Sequence, residues 1–290
     1  MINLGGAIVQ YGISSYVWVS PFKDSDLAVL KKAKKFGFDI FEAAVETIGS
    51  FNPEYIRNKA DEIGIKVYIC GCFGATRDPG SENEKIRKEA IDYIKTCIDY
   101  ATITGSPYVS GPMYATSGVA YLKSPEEKEA QMQRIVESLK IVGDYADSKG
   151  VKLAIEPLNR FETDVVNTVD EGLYLIDKIG GGPFGFLLDM FHMNIEEKSF
   201  STAIKKAGSR LFDFHVCANN RGTPGEDHFD WKLIAKSLKK IDYKGPIVIE
   251  SFTSGVKEIA KSASLWHPVA PSMDYLAQNG LSFLKKVMES

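Results

Sequence analysis

Little in this sequence marks it for a redox, nucleic-acid or membrane role. It has only four cysteines and four histidines in 290 residues. Cys70, Cys72, Cys97 and Cys217 form no C-x-x-C pair, which argues against a zinc knuckle. They read as free thiols used as small buried hydrophobes, which fits the cytoplasm. No basic run exceeds pairs such as Lys31-Lys32 and Lys34-Lys35, and the net charge is −3. A nucleic-acid surface, which needs a basic face, is therefore not expected. No apolar run approaches the roughly 20 residues of a membrane helix. Met1 to Gln10 carry neither a charged start nor a long apolar stretch, so no signal peptide is expected. No G-x-G-x-x-G follows the first expected strand, which counts against a dinucleotide fold.

What the sequence has is an alternation of short apolar runs with longer amphipathic stretches. Strands are expected at 11–16, 39–43, 66–72, 108–110, 151–155, 184–188, 211–215 and 247–250. Helices are expected at 26–36, 53–63, 83–104, 125–149, 169–179, 200–207, 231–241 and 273–288. The first helix shows the logic. Leu27, Leu30, Ala33 and Phe36 recur at helical spacing, Asp24 or Ser25 offers a cap, and Gly37 stops the run. Strands alternating with helices imply a parallel sheet with right-handed crossovers. Eight such units in a chain near the typical ~250 residues imply a closed (β/α)8 TIM barrel, with residues 1–290 as a single domain. The longest expected non-helical insert, 251–272, follows strand eight, where long loops usually serve function.

In such a barrel, chemistry sits at the C-terminal ends of the strands. Glu156, Asp189, His215 and Glu250 close four consecutive late strands, spaced about one βα unit apart. Two Glu, one Asp and one His make an oxygen-rich set suited to a six-coordinate divalent ion: Mn²⁺, with Co²⁺ or Mg²⁺ as substitutes. Carboxylates converging on one barrel mouth need a cation, so four isolated polar strand ends is the weaker reading. Glu162, His192 and Arg221 lie three to six residues beyond these positions, on the loops above the strands. They could hold sugar hydroxyls. Equally, His192 could cap a helix and Glu162 could pair with Arg221.

The segments Ile155-Glu156-Pro157-Leu158-Asn159-Arg160-Phe161-Glu162, Leu188-Asp189-Met190-Phe191-His192-Met193-Asn194-Ile195-Glu196-Glu197 and Phe214-His215-Val216 stand out. With Asn167-Thr168, Asn220-Arg221 and Pro224-Gly225, they resemble the D-tagatose 3-epimerase / D-psicose (D-allulose) 3-epimerase family of xylose-isomerase-like barrels. The resemblance is dense over 150–250 and looser before. It implies metal ligands Glu156, Asp189, His215 and Glu250, and it implies that Glu162, His192 and Arg221 hold the O1–O3 end of a ketose. A homodimer or homotetramer is implied by relatives, as is a tryptophan at Trp266. The chain departs from the family at Ser14, in the loop 111–118, at Ser251 and at His267. These positions surround the distal end of the sugar. Tyr16, Trp18 or Tyr114 could replace the lost apolar wall, or could be plain core.

The expected reaction is epimerisation of a free ketose at C3 through a cis-enediolate, with Glu156 and Glu250 as a two-face acid/base pair. The candidate pairs are D-tagatose/D-sorbose, D-fructose/D-psicose and L-ribulose/L-xylulose. No Gly-rich anion cradle follows strands seven and eight, which favours an unphosphorylated sugar. Three other readings stay open. One is another isomerase of this barrel type, acting on an aldose–ketose pair, hydroxypyruvate, an inosose or a 3-keto-glycoside. A metal-dependent nuclease would want more histidines and a basic face. A non-catalytic sugar-binding barrel would be expected to lose one of the two glutamates.

Overall fold

The computed structural model describes residues 3–4 and 7–289. A two-residue antiparallel pairing, Asn3–Leu4 with Ala7–Ile8, precedes the barrel. The barrel strands are β1 (Tyr11–Ser14), β2 (Ile40–Val45), β3 (Lys66–Gly71), β4 (Tyr108–Gly111), β5 (Lys152–Ile155), β6 (Phe184–Asp189), β7 (Leu211–Val216) and β8 (Ile247–Ile249). All pair in parallel, and β8 pairs with β1 to close the ring.

The helices are α1 (Leu27–Phe36), α2 (Pro53–Ile63), α3 (Glu84–Thr104), α4 (Pro125–Lys149), α5 (Val169–Ile179), α6 (Met190–Glu196), α7 (Phe200–Ala207), α8 (Trp231–Lys240), α9 (Lys257–Ser262) and α10 (Met273–Glu289). Local chemistry sets their ends. Ser124 and Glu127 form a capping box on α4, and Thr168 and Glu171 do the same on α5. Asn52 caps α2 through the Glu54 and Tyr55 amides, with Pro53 in the first turn. Gly64, Gly150 and Gly180 end α2, α4 and α5 with positive φ, which a side chain would oppose. Among the described residues, no helix is long and apolar enough to cross a membrane.

Two expectations fail locally. The 251–272 insert is not without helix, because it contains α9. His192 lies on a helix, α6, that begins directly at the end of β6. Asp189 caps α6 by accepting from the Phe191 amide at 2.6 Å, so one residue ends the strand and starts the helix.

Register decides what faces inward. Partners across parallel strands share a face, and successive residues alternate. Ser14, Glu42 and Tyr68 align, as do Cys70, Ser110 and Ala154, then Leu187 with Asp213, and Asp189 with His215 and Val248. This set shares its face with a small apolar cluster of Ile40, Tyr68, Tyr108, Ala154 and Leu187. The alternate residues, among them Ile13, Phe41, Ile69, Val109, Leu153, Phe186, Phe214 and Ile249, join the large core under the helices. The outer face of the sheet is thus apolar, and the inner face carries the acids and the histidine.

The β6–β7 register shifts between Phe186 and Leu187. Gly185 sits just before the shift, and a Cβ there would stand 2.3 Å from both the Arg210 carbonyl oxygen and the Phe212 ring. Backbone cannot yield as a flexible side chain does. Gly185→Ala is expected to lower stability by at least about 2 kcal/mol, the middle of the range for overpacking. A urea unfolding midpoint checks this, and an unchanged midpoint would refute it.

Candidate active site

The inner face delivers its polar groups to the C-terminal mouth. Asp189 and His215 lie on β6 and β7, while Glu156 and Glu250 each stand one residue past the ends of β5 and β8. One ligand atom from each of these four buried residues can be chosen so that all lie within 4.8 Å of one another. A second trio, Glu42, Asp213 and His215, meets the same criterion below the mouth. Glu42 and Asp213 were not among the sequence candidates. They are interior strand residues with no strand-end position to mark them.

Arg221 reaches into this group. Its Nη1 donates to Asp189 Oδ2 at 2.5 Å and to Glu250 Oε2 at 3.1 Å. Its guanidinium lies over the Phe191 ring at 4.1 Å and the Phe252 ring at 5.0 Å. The backbone holds it there: Arg221 has φ of 65°, its amide donates to the Ala218 carbonyl, and the Ser251 hydroxyl donates to its carbonyl at 2.6 Å. Arg221 therefore pairs with two carboxylates of the rim, and Glu162 is bound elsewhere.

Asn159 organises the other side. Its backbone N–H donates to His192 Nδ1 at 3.1 Å, and its side-chain amide donates to Glu162 Oε1 at 2.8 Å. A backbone amide can only donate, so Nδ1 accepts from it. Nε2 faces another donor, Arg221 Nη2 at 3.2 Å, with Glu156 Oε1 3.7 Å away. Burial is the main force holding the His192 pKa down at about 4, so the ring is neutral near pH 7. Asn159 stood inside a recognised motif, but its role depends on how the loop curls back.

The charges of the group identify what it needs. Burial first, and then the neighbouring Glu250, push the Glu156 carboxyl well above the usual range. Burial acts upward on Glu250 too, but His215 and Arg221 outweigh it and hold that carboxyl at about 2. His215 is pulled well above its usual value despite its burial, by Glu42, Glu250 and Asp213. At the mouth three carboxyls crowd one guanidinium in a dry site, and protons are drawn onto Glu156 and His215 to offset them. A divalent cation could take the place of those protons, and the donor set of three carboxylates and one imidazole suits Mn²⁺, Co²⁺ or Mg²⁺.

Above the group lies a cavity of about 730 Å³, lined by Glu156, Glu250, Glu162, His192 and Arg221 among others. That size is within the range of small-molecule sites. Of the three aromatic candidates for its distal wall, Tyr16 lines it, with its ring 5.1 Å from that of Phe252. Trp18 packs on Phe36 and donates to Asp274, away from the cavity. Trp266 is 74% exposed and does not line it. The thiols are unpaired, but Cys72 is half-buried at the cavity wall, so it is not core.

Tyr114 is core. Its hydroxyl lies 3.0 Å from the Glu156 carbonyl and 2.9 Å from that of Val166, and accepts from the Leu158 amide at 3.2 Å. It thus pins the backbone that carries Glu156. Tyr114→Phe removes the contact to the Glu156 carbonyl, while the Leu158 amide still donates to the Val166 carbonyl at 3.2 Å, and is expected to cost about 1 kcal/mol in a thermal or denaturant melt. Equal stability of the two proteins would show that the hydroxyl is not a brace.

Fold and site together define a (β/α)8 barrel with a buried acid-rich centre at its C-terminal mouth that could hold a metal ion. The model of the xylose isomerase-like TIM barrel family matches residues 30–286. A Synechocystis sp. protein named "Probable ketose 3-epimerase" is 34% identical over 282 residues, covering 97% of this chain and 98% of that one. A D-psicose 3-epimerase of Agrobacterium fabrum is 29% identical over 288 residues, covering 97% and 99%. The crystal structure of a D-psicose 3-epimerase with D-tagatose, from Clostridium cellulolyticum H10, matches with a TM-score of 0.89 at 28% identity, covering 97% of this chain and all of that one. The chain belongs to the xylose isomerase-like TIM barrel family, among its ketose 3-epimerases.

Proposed function

We propose that this protein is a divalent-cation-dependent ketose 3-epimerase acting on free ketohexoses or ketopentoses. The observation that carries the reading is the convergence of Glu156 and Glu250 from β5 and β8 onto one buried group beneath a sugar-sized cavity. Relatives named as 3-epimerases of D-psicose and L-ribulose support the reaction class.

Removing the C3 proton of a ketose is difficult because that C–H is only weakly acidic. A cation held by Glu156, Asp189, His215 and Glu250 supplies Lewis-acid stabilisation of the negative charge that develops on the sugar oxygens. The side chains do the rest. One of Glu156 and Glu250 takes the C3 proton, and the other returns a proton to the opposite face of the cis-enediolate. The Arg221 guanidinium donates to oxygens at the O1–O3 end beside the neutral His192 ring, while Glu162, anchored by Asn159, accepts from a hydroxyl. Substrate pairs that fit are D-tagatose/D-sorbose, D-fructose/D-psicose and L-ribulose/L-xylulose. We place the enzyme in the cytoplasm, on its unpaired thiols, and assign it a homodimer or homotetramer, on its family.

The test is isotope exchange. Protein loaded with Mn²⁺ is incubated with D-fructose, D-tagatose or L-ribulose in D₂O, and the recovered sugar is read by NMR. Deuterium at C3 with formation of the C3 epimer is expected. Exchange at C1 alone would make the protein an aldose–ketose isomerase, and no exchange with any ketose would remove the epimerase reading.

A further inference from the structure

We infer that Glu42, with Asp213 beside it, is a positioning residue for His215: it takes the proton on Nε2 and so turns the Nδ1 lone pair toward Glu156, Asp189 and Glu250. The inference rests on the reading of His215 as a cation ligand.

Glu42 lies on β2 and His215 on β7, strands that are not neighbours in the sheet, so their contact crosses the barrel interior. His215 Nε2 stands 3.0 Å from Glu42 Oε1 and 3.4 Å from Asp213 Oδ2. On the opposite edge of the ring, Nδ1 faces Glu250 Oε1 at 3.5 Å. Each acid has one anchored oxygen and one free one. Glu42 Oε2 accepts from the Ser110 hydroxyl at 3.3 Å, and Asp213 Oδ1 accepts from the Phe214 amide at 2.9 Å. Among the described residues, Glu42 Oε1, Asp213 Oδ2 and both ring nitrogens of His215 make no aligned hydrogen bond, so these buried polar atoms meet by proximity alone. All three residues have no solvent exposure.

Acids buried this deeply carry a cost in stability that an apolar residue would not. Their neighbours Ile40, Leu187 and Ala154 show that the barrel floor accepts apolar side chains. The geometry gives the acids a use. A neutral imidazole has one N–H, and the nitrogen beside an acceptor keeps it. With Glu42 and Asp213 on the Nε2 side, the proton stays there, and Nδ1 is left as the donor to a cation at the mouth. A carboxylate behind a ligating imidazole also raises its basicity and fixes the ring plane. Glu42 is the nearer of the two acids, so it carries the larger share.

Glu42→Leu, Glu42→Gln and Asp213→Asn test the assignment, with Mn²⁺ affinity read from the free-ion electron paramagnetic resonance signal during titration. Glu42→Leu is expected to weaken Mn²⁺ binding by about 10- to 100-fold. Removing one partner of a buried charged pair costs stability, so circular dichroism of the metal-free variants first shows that they are folded at the titration temperature. Glu42→Gln, which keeps an acceptor but no charge, should fall between, and Asp213→Asn should lose less than Glu42→Leu. Wild-type affinity in Glu42→Leu would overturn the assignment. A second measurement needs no variant: in Mg²⁺-loaded protein with ¹⁵N-labelled histidine, His215 should show its proton on Nε2, and a proton on Nδ1 would overturn the assignment. If the wild-type chain bound none of Mn²⁺, Co²⁺ and Mg²⁺, the cation reading itself would fall, and this inference with it.

Discussion

Glu250→Gln and Glu156→Gln are each expected to reduce C3 epimerisation by at least about 10³-fold while leaving the barrel folded. The size follows from two losses made together. Each substitution removes a group that moves a proton at C3, worth roughly 10²–10⁴. Each also takes a negative charge from the cation site. The environments of the two differ, with Glu156 pushed toward the protonated form by burial and by Glu250, and Glu250 held ionised by His215 and Arg221. The two variants should therefore differ in what survives. A single-turnover measurement in D₂O separates them, because a one-base route with a turning substrate would keep exchange in one variant. Wild-type turnover in either would sink the two-carboxylate scheme. Circular dichroism shows whether the fold persists.

Removal of the divalent ion is expected to abolish turnover and to lower the melting temperature. Without a cation, the crowded carboxyls at the mouth draw protons onto Glu156 and His215. A ligand present at 100 times its dissociation constant stabilises the folded chain by about 2.7 kcal/mol. For a chain of this length that is a shift of several degrees. Calorimetry with a chelator, and then with Mn²⁺ restored, reads both the shift and its reversal. Identical melting and identical activity with and without chelator would show that Arg221 alone neutralises the group, and the cation would have no place in the reaction.

The convergence of four ionisable groups from the strand ends was legible because it follows local pattern. Glu156, Asp189 and Glu250 each come after three apolar residues and His215 after Phe212-Asp213-Phe214, at intervals of about one βα unit, so the barrel rule alone sends them to one rim. Glu162 and Arg221 were legible as loop residues, His192 lies instead on α6, and the partners of all three were not legible. The expected alternative, a Glu162–Arg221 pair, gives way to Arg221 on Asp189 and Glu250, and Glu162 on Asn159. That choice depends on the positive φ at Arg221 and on the turn at Asn159, neither of which a residue type dictates. The short helices α6 and α9 went unread because six or seven residues give too little periodicity to see.

Sequence by itself determined the alternation of eight strands and helices, the capped helix ends, the absence of a membrane-length apolar run, and the four ionisable groups at the late strand ends. These are properties of neighbours within a few turns, carried by spacing and by residue chemistry. Only the tertiary structure decided what stands behind those groups. Closing the ring through β8 and β1 sets the register, and the register sends every second side chain inward. Glu42 reaches His215 across that interior from a distant point in the chain, joining Asp213 of the same strand as His215, and Tyr114 reaches the backbone of Glu156 and Val166 from another unit. A polar residue in mid-strand looks the same in sequence whether it faces solvent, a helix or the barrel floor. The physical reason is that its partner is chosen by long-range closure and not by local pattern.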